Sequence, residues 1–491
     1  MGGIMLDKRG ITIKIVPVLI LCFFILGCSL NLGNKYGLDK ENPTAVEIWH
    51  YYNGVQKIEF DKMVEEFNKT VGKKEGIIVE AFSQGSINEL TDKVIDTSNE
   101  KVGAGKMPEA FTAYPDTAYK LEQLGLLSDY NQYLSKSEMS NYIDNYIEEG
   151  KITSSDKLTI FPIAKSTEVL MVNKTAWDMF AKETNADINK FQTWEGIAEL
   201  AKQYYEWSDS KTEIKDDGKA FFGRDAMANY MMVGSKELGE EIFKIEDGKV
   251  NVNLNEKVMR KLWDNFYVPY INGYYGAYGR FRSDDTKTGD IIAFVGSTPG
   301  AEYFPSSVIK NDETSYPIDC MVLPIPKFEN YKGYMPEQGA GIVLTKSDRK
   351  HEYAVTEFLK WFTDVERNTE FSIKSGYLPV KKDANNIDFI KSKIAKNNDL
   401  DISQKLQDAI FTAIDQENSN EFYFVKAFNG SNKARDILEK AMLDKAKLDR
   451  EEIQKQLNNG ISKKELINKY DTDENFKKWF EKLKNDINNA M

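Results

Sequence analysis

Between residues 44 and 125 short β-branched runs alternate with stretches of helical period, and this alternation limits the fold more than any other feature. Val46 and Ile48 lie on one side of a strand that ends in Trp49, His50, Tyr51 and Tyr52. Phe60, Met63, Val64 and Phe67 follow at helical spacing. Residues 78–82 read as a second strand, and Leu90, Val94 and Ile95 as a second helix. Gly103, Gly105 and Pro108 break the chain before residues 109–113, and a short helix carrying Leu121 and Leu124 follows. Such alternation builds a parallel α/β sheet with helices packed on its faces. A chain of 491 residues is too long for one such core, so two or more lobes are expected.

The stretch 157–177, KLTIFPIAKSTEVLMVNKTAW, breaks the pattern. Pro162 interrupts a β-branched run, since it has no N–H to give to a central ladder. Lys165, Ser166 and Thr167 then separate that run from a second apolar one at 169–172. One cation and two hydroxyls suit a sugar hydroxyl or a phosphate oxygen. A strand–bulge–strand with a solvated lysine fits the same residues. Further on, Thr193 is placed to cap a helix whose buried face carries Ile197, Leu200, Ala201 and Tyr204.

Hydrophobic residues make up 41% and charged residues 29%, a globular rather than a disordered balance. A net charge of -12 argues against general affinity for nucleic acid or anionic membrane. No GxxxxGK[ST] loop is present, and GSTPG at 296–300 is not GxSxG. The two histidines, His50 and His351, belong to no HExxH pattern, and there is no CxxC pair. Neither a metal site nor a cofactor is expected. A glycosidase built on two carboxylates stays open, because acids are plentiful.

At the N-terminus Lys8, Arg9 and Lys14 precede an apolar run at 15–26, too short for a comfortable membrane span. This reads as a secretory signal. It ends in Ile25-Leu26-Gly27-Cys28, which resembles a bacterial lipoprotein lipobox, with Leu26 departing from the small or β-branched residue usual there. The resemblance implies cleavage before Cys28 and a diacylglycerol on its sulfur. A plain signal or an uncleaved anchor is the other reading, and each version puts the globular part outside the cytoplasmic membrane. With Cys28 lipidated, Cys320 would be the one cysteine left, in the apolar run 320–323, where it reads as a small core residue. Residues 29–43 read as a polar tether.

Aromatic residues recur near the expected strand ends: Trp49, Tyr51, Tyr52, Tyr114, Tyr274, Tyr275, Tyr278 and Tyr377. Rings of this kind stack on the apolar C–H faces of sugars, whose hydroxyls need planar polar partners. Asp116, Asp225, Asn229, Arg280 and Arg435 are candidates for that role.

Several stretches stand in a telling order: VEIWHYYNG at 46–54, MPEAFTAYPD at 107–116, LEQLGLLSDY at 121–130 and FPIAKSTEVLMVNKTAW at 161–177. TWEGIAELAK at 193–202, GSTPG at 296–300, VLPIPKF at 322–328, GAGIVLTK at 339–346 and SGYLPV at 375–380 follow. This series resembles the family 1 extracellular solute-binding proteins of ABC importers, a group that includes maltose- and glycerol-3-phosphate-binding proteins. The resemblance implies an α/β, two-lobe periplasmic-binding-protein-like fold (type II), a ligand cleft between the lobes and closure about a hinge. After a signal peptide at 1–27 and a tether at 28–43, it implies an N-terminal lobe of 44–155 plus 322–380. The C-terminal lobe would be 156–321 plus 381–491, with crossings near 150–159, 316–323 and 379–389. Ligand contacts are implied at Trp49, Tyr51, Tyr52, Tyr114, Asp116, Lys165, Ser166, Thr167, Ser297, Thr298, Gly339, Ala340, Tyr377 and Arg435. Asp225, Asn229 and Tyr275 join them from the aromatic and polar pattern above. The implied activity is non-catalytic binding of a mono- or oligosaccharide by a lipid-anchored monomer, which delivers it to membrane permease subunits. If Lys165, Ser166, Tyr377 and Arg435 met a phosphate, the ligand would instead be glycerol 3-phosphate or a related polyol. A secreted carbohydrate-active hydrolase is the alternative of another class.

Overall fold

The computed structural model describes residues 35–491 apart from 154–155, 247–248, 312–313, 397–401 and 418. The signal segment 1–27 and the expected lipidation at Cys28 lie outside the described residues. Two main sheets organise the chain. The strands of the first half are β1 (Thr44–His50), β2 (Ile77–Ser83), β3 (Ala110–Ala113), β4 (Ile160–Phe161), β5 (Glu168–Asn173) and β6 (Phe222–Arg224). A hairpin, β7 (Phe243–Glu246) and β8 (Lys249–Val252), precedes β9 (Ala293–Ser297) and a second hairpin, β10 (Ser307–Asn311) and β11 (Thr314–Pro317). β12 (Cys320–Pro324), β13 (Tyr334–Pro336), β14 (Gly341–Leu344) and β15 (Glu421–Tyr423) complete the set.

The first sheet runs β2-β1-β3-β14-β4 and the second β12-β5-β9-β6. β1, β2 and β3 are parallel, as the strand–helix alternation requires. β14 and β4 then add antiparallel, and in the second sheet β5 is antiparallel to both neighbours, leaving β6–β9 as its one parallel pair. The expected parallel layer is thus confined to the beginning of the first sheet. Its edge is closed by β14, which returns from the other lobe, and by β4, from which the chain leaves.

Two expected lobe boundaries shift. Ile160–Phe161 was expected beyond the boundary at 155, yet it pairs with β14 in the first sheet. Pro162 ends that pairing because it lacks the N–H, and the chain leaves the sheet there. The boundary at 321 cuts β12, all of which pairs with β5 in the second sheet before Pro324 and Pro326 stop it. The first two crossings are therefore 162–167 and 325–340. Residues 35–43, expected as free tether, also pack: Tyr36 stacks on Tyr353 with ring centroids 4.2 Å apart.

The first lobe's core lies between the sheet and the helices Gly54–Phe67 and Arg349–Phe362, where Phe60, Phe67, Phe358 and Phe362 interlock. The second lobe's core is built on the helix Glu256–Ile271. Trp263 stacks on Tyr267 and meets Trp479 of the C-terminal helix Asp473–Ala490. The helix Ser431–Asn458 buries Ala434, Leu438, Met442, Ala446 and Ile453 along one stripe against the helices Met227–Glu237 and Glu256–Ile271. The tail is thus part of the second lobe's core. Cys320 is half-buried on β12, and burial pushes its thiol up to about 12, so it stays protonated. Among the described residues no helix is long and apolar enough to cross a membrane.

Buried titratable groups make the stability of the fold depend on pH. Burial pushes the Glu237 carboxyl up to about 8 and that of Glu417 to about 7. Each favours the protonated folded form, so its contribution is complete below the ordinary carboxylate range and is lost as pH rises through those values. His50 is fully buried and accepts the Tyr52 N–H at Nδ1, and burial pushes it down to about 4. Its contribution is complete above its ordinary value of about 6.5 and is lost as pH falls through about 4. From these groups melting temperature is expected to fall as pH rises from about 5 to about 8.5, because two carboxyls lose stability where His50 alone gains it. Glu237→Gln is expected to flatten the alkaline limb in a melting series; an unchanged limb would remove Glu237 from the account.

Candidate functional site

A cleft of about 380 Å³ lies between the lobes, within the ~300–1,000 Å³ range of small-molecule sites. The first lobe supplies Ile87, Asn88 and Thr91 from the helix Ile87–Ser98, the segment 114–117, and Glu149. The second lobe supplies Asn229, Met232 and Val233 from the helix Met227–Glu237, and the segment 423–425 after β15. Asn432, Arg435 and Asp436 project from the first turns of the helix Ser431–Asn458, and residues 336–338 of the second crossing close one side.

Local sequence explains these placements. Pro115 starts the helix Pro115–Gln123 at its first position, where a missing N–H costs nothing, and Asp116 follows in the first turn. Tyr114 is thereby left at the strand-to-helix turn, partly exposed to the cleft. Burial raises the Asp116 carboxyl, while Ser431 and Arg435 oppose that rise. Asn432, with its amide nitrogen towards Asp116, donates to Oδ2 at 3.3 Å and accepts from Lys120 Nζ at 3.0 Å, linking the two lobes.

Arg435 is held by a buried relay. Its Nη2 donates to Asn229 Oδ1 at 2.6 Å. Asn229 Nδ2 donates to Glu168 Oε1 at 2.7 Å, and Arg224 Nη2 donates to Glu168 Oε2 at 2.5 Å. Arg224 is itself buried, with its guanidinium carbon 5.2 Å from the Trp194 ring centroid and 5.5 Å from that of Tyr230. These rings offset the desolvation of a cation whose Nε and Nη1 have no hydrogen bond. The relay fixes the Asn229 amide and presents one face of Arg435 to the cleft.

Lys165 has a different place from the expected one. Its side chain is 1% exposed and ion-paired with Glu149 and Glu337, the latter at 3.0 Å. Nζ also donates to the Gly339 carbonyl at 3.1 Å and lies 5.6 Å from the Tyr146 ring centroid. The two carboxylates raise its pKa against the opposing effect of burial, so the ammonium stays charged. Burial, with Glu149 close by, pushes the Glu337 carboxyl up to about 8.

Ser166 and Thr167 are buried beside it. Ser166 exchanges backbone hydrogen bonds with Gln338, both at 2.9 Å, and Lys165 exchanges them with Leu378 at 3.2 and 2.6 Å. The three chain segments around 162–167, 337–340 and 376–380 are thus tied together where the chain passes between lobes. Gly339 has φ +92°, and a Cβ there would fall 2.7 Å from the Ala164 carbonyl oxygen, so the close approach of two segments requires glycine. Gly339 and the buried Ala340 belong to this junction.

Of the residues expected to contact ligand, Tyr114, Asp116, Asn229 and Arg435 line the cleft together. Tyr51 and Tyr377 form a pair behind it, with Oη atoms 3.1 Å apart, and burial raises both phenols so that they remain neutral donors. Trp49 and Tyr52 are core residues of the first lobe, and Tyr275 of the second, in ring contact with Phe222. Asp225 turns to Arg282, its carboxyl pushed up by burial to about 6. Thr298 is buried and donates its N–H to the Thr167 carbonyl, while Ser297 is half-buried at the end of β9. Sequence reasoning missed Glu149, Glu337, Met232, Val233 and Tyr423–Val425. A lysine inside an apolar run does signal a buried acid partner, but not which acid. Among the described residues no group of three or more His, Cys, Asp or Glu is arranged to hold a metal.

The fold is shared with solved structures. A cyclic α-maltosyl-1,6-maltose-binding protein from Arthrobacter globiformis superposes with a TM-score of 0.62 at 14% identity, covering 91% of this chain and 99% of that one. An ABC substrate-binding protein from Listeria monocytogenes, in complex with cycloalternan, gives 0.62 at 16% identity, covering 91% and 98%. UgpB from Mycobacterium tuberculosis, in complex with glycerophosphocholine, gives 0.62 at 16% identity, covering 92% and 100%. At such identities the likeness extends to the two-lobe fold and no further. No curated protein matches the chain. The family profile described as bacterial extracellular solute-binding protein matches residues 62–398, more than half of the chain, and the chain belongs to that family.

Proposed function

We propose that this protein is the lipid-anchored substrate-binding subunit of an ABC importer, and that it binds a neutral carbohydrate in the interlobe cleft without turning it over. The carrying observation is the make-up of the cleft wall. Asp116, Asn229, Gln338 and Arg435 offer planar polar groups that pair with vicinal hydroxyls, and the half-buried Tyr423 and Phe424 offer ring surface for a sugar's C–H face. Hinge closure would pair the ligand's hydroxyls on both sides and give the permease a distinct surface to recognise. The lipid on Cys28 would keep the binder at the outer face of the membrane.

Charge weighs against a phosphorylated polyol. Among the described residues Arg435 is the one basic residue lining the cleft, against Asp116, Glu149 and Asp436. Lys165 is already engaged by two carboxylates and is not a second cation for a phosphate.

A thermal-shift panel of neutral oligosaccharides and glycerol 3-phosphate tests the reading. A ligand at 100-fold over its Kd adds about 2.7 kcal/mol of stability, so a cognate sugar raises the melting temperature. A shift with glycerol 3-phosphate and with no sugar would refute the carbohydrate reading. Turnover of a chromogenic glycoside would refute the non-catalytic one.

A further inference from the structure

We propose that Lys463 is a covalent capture site for small aldehydes, including the open-chain form of reducing sugars, which it takes as an imine. This site stands apart from the interlobe cleft. A second cavity of about 500 Å³ opens on the outer side of the second lobe, between the helix Trp194–Asp209 and the helix Lys463–Tyr470. Lys463 Nζ lies 3.5 Å from the Tyr205 ring centroid and 5.2 Å from that of Tyr274. Among the described residues its amine makes no ion pair and no hydrogen bond. Glu206, Asp209 and Asp216 share the cavity, and none comes within the 4.0 Å of an ion pair.

Three further features lie around the same amine. Arg450 faces it from the helix Ser431–Asn458. Lys202 and Lys464 line the same cavity. Lys463 is also the first residue of its helix, where the positive end of the macrodipole disfavours a cation. Burial, and then Arg450, push the ammonium down to about 8 against the pull of the three acids. A desolvated lysine beside another cation is the arrangement that makes an amine nucleophilic at neutral pH.

In the step, the lone pair of the neutral Nζ adds to the carbonyl carbon, and the C=O π electrons move to oxygen. The two N–H protons and that oxygen then leave as water, and a C=N bond remains. The protons pass through solvent in the open cavity, which Asp209 and Glu206 also line. No oxidant or reductant is consumed.

The test treats the whole chain with limiting glycolaldehyde, traps imines with cyanoborohydride and quantifies each lysine by peptide mass spectrometry. Lys464, its neighbour, is the internal control. At pH 7 Lys463 is expected to be labelled at least about tenfold faster than Lys464, because burial beside Arg450 leaves part of its amine neutral. Its rate should level off above about pH 8. Arg450→Gln should lower the preference several-fold. Equal labelling of the two lysines, or a Lys463 rate with no plateau, would overturn the proposal, and both readings come from the unmodified protein.

Discussion

Lys165→Met is expected to destabilise the protein by about 3–5 kcal/mol, read as a drop in the urea midpoint at unchanged slope. Methionine fills similar space, so the loss reports charge rather than volume. Glu149 and Glu337 would be left buried, close together and without their cation. One or both must then take up a proton. The loss should therefore be smaller at pH 5.5 than at pH 8, where proton uptake costs more. Lys69→Met makes the control, since the Lys69–Glu65 pair is mostly exposed and should contribute less than about 1 kcal/mol. Adding Glu149→Gln and Glu337→Gln to Lys165→Met should recover part of the lost stability. A loss under 1 kcal/mol for Lys165→Met, equal at both pH values, would mean that the triad is solvated and not a buried clasp between crossings.

Arg435→Ala is expected to weaken sugar binding by about 10–100-fold and to leave the melting temperature of the free protein almost unchanged. A hydrogen bond to a charged group contributes roughly 1.5–3 kcal/mol, and each 1.4 kcal/mol is a factor of ten in Kd. Arg435 is exposed near the start of a helix, so the fold loses little beyond its bond to Asn229. Arg435→Lys should recover only part of the affinity, because an ammonium does not offer the forked donor set that reaches Asn229 and a ligand together. Calorimetric titration of both variants checks this order. Wild-type affinity in Arg435→Ala would place the ligand elsewhere.

Much of the scaffold was legible in the sequence because it rests on local rules. β-Branched alternation marked β1 and β2, and the spacing of Phe60, Met63, Val64 and Phe67 marked the helix that covers them. The ordered motifs carried the two-lobe architecture. Strand direction in the second sheet was not legible: β5 pairs with β9 and β12, which lie far along the chain, and nothing local encodes antiparallel pairing at that distance.

Placement at the cleft was legible where a residue's position depends on its own turn. Tyr114 and Asp116 sit at the entry of a proline-started helix, and Arg435 in the first turns of another. It was misread where a partner decides. Lys165 and its hydroxyl neighbours look alike in sequence whether they line a cleft or bury an ion pair, and Glu149 and Glu337 settle the matter from other segments. Trp49, Tyr52 and Tyr275 show the limit of reading aromatics at strand ends, since a large ring there serves a core as well as a sugar.

The cleft between Tyr114, Asp116 and Arg435 is proposed to hold a neutral sugar. The most direct measurement is calorimetric titration of the wild-type chain and Arg435→Ala with whichever neutral oligosaccharide gives the largest thermal shift. The account predicts one-site, saturable binding to the wild type and a Kd raised about 10–100-fold in the variant. No heat from any neutral sugar, or identical isotherms for the two proteins, would contradict it.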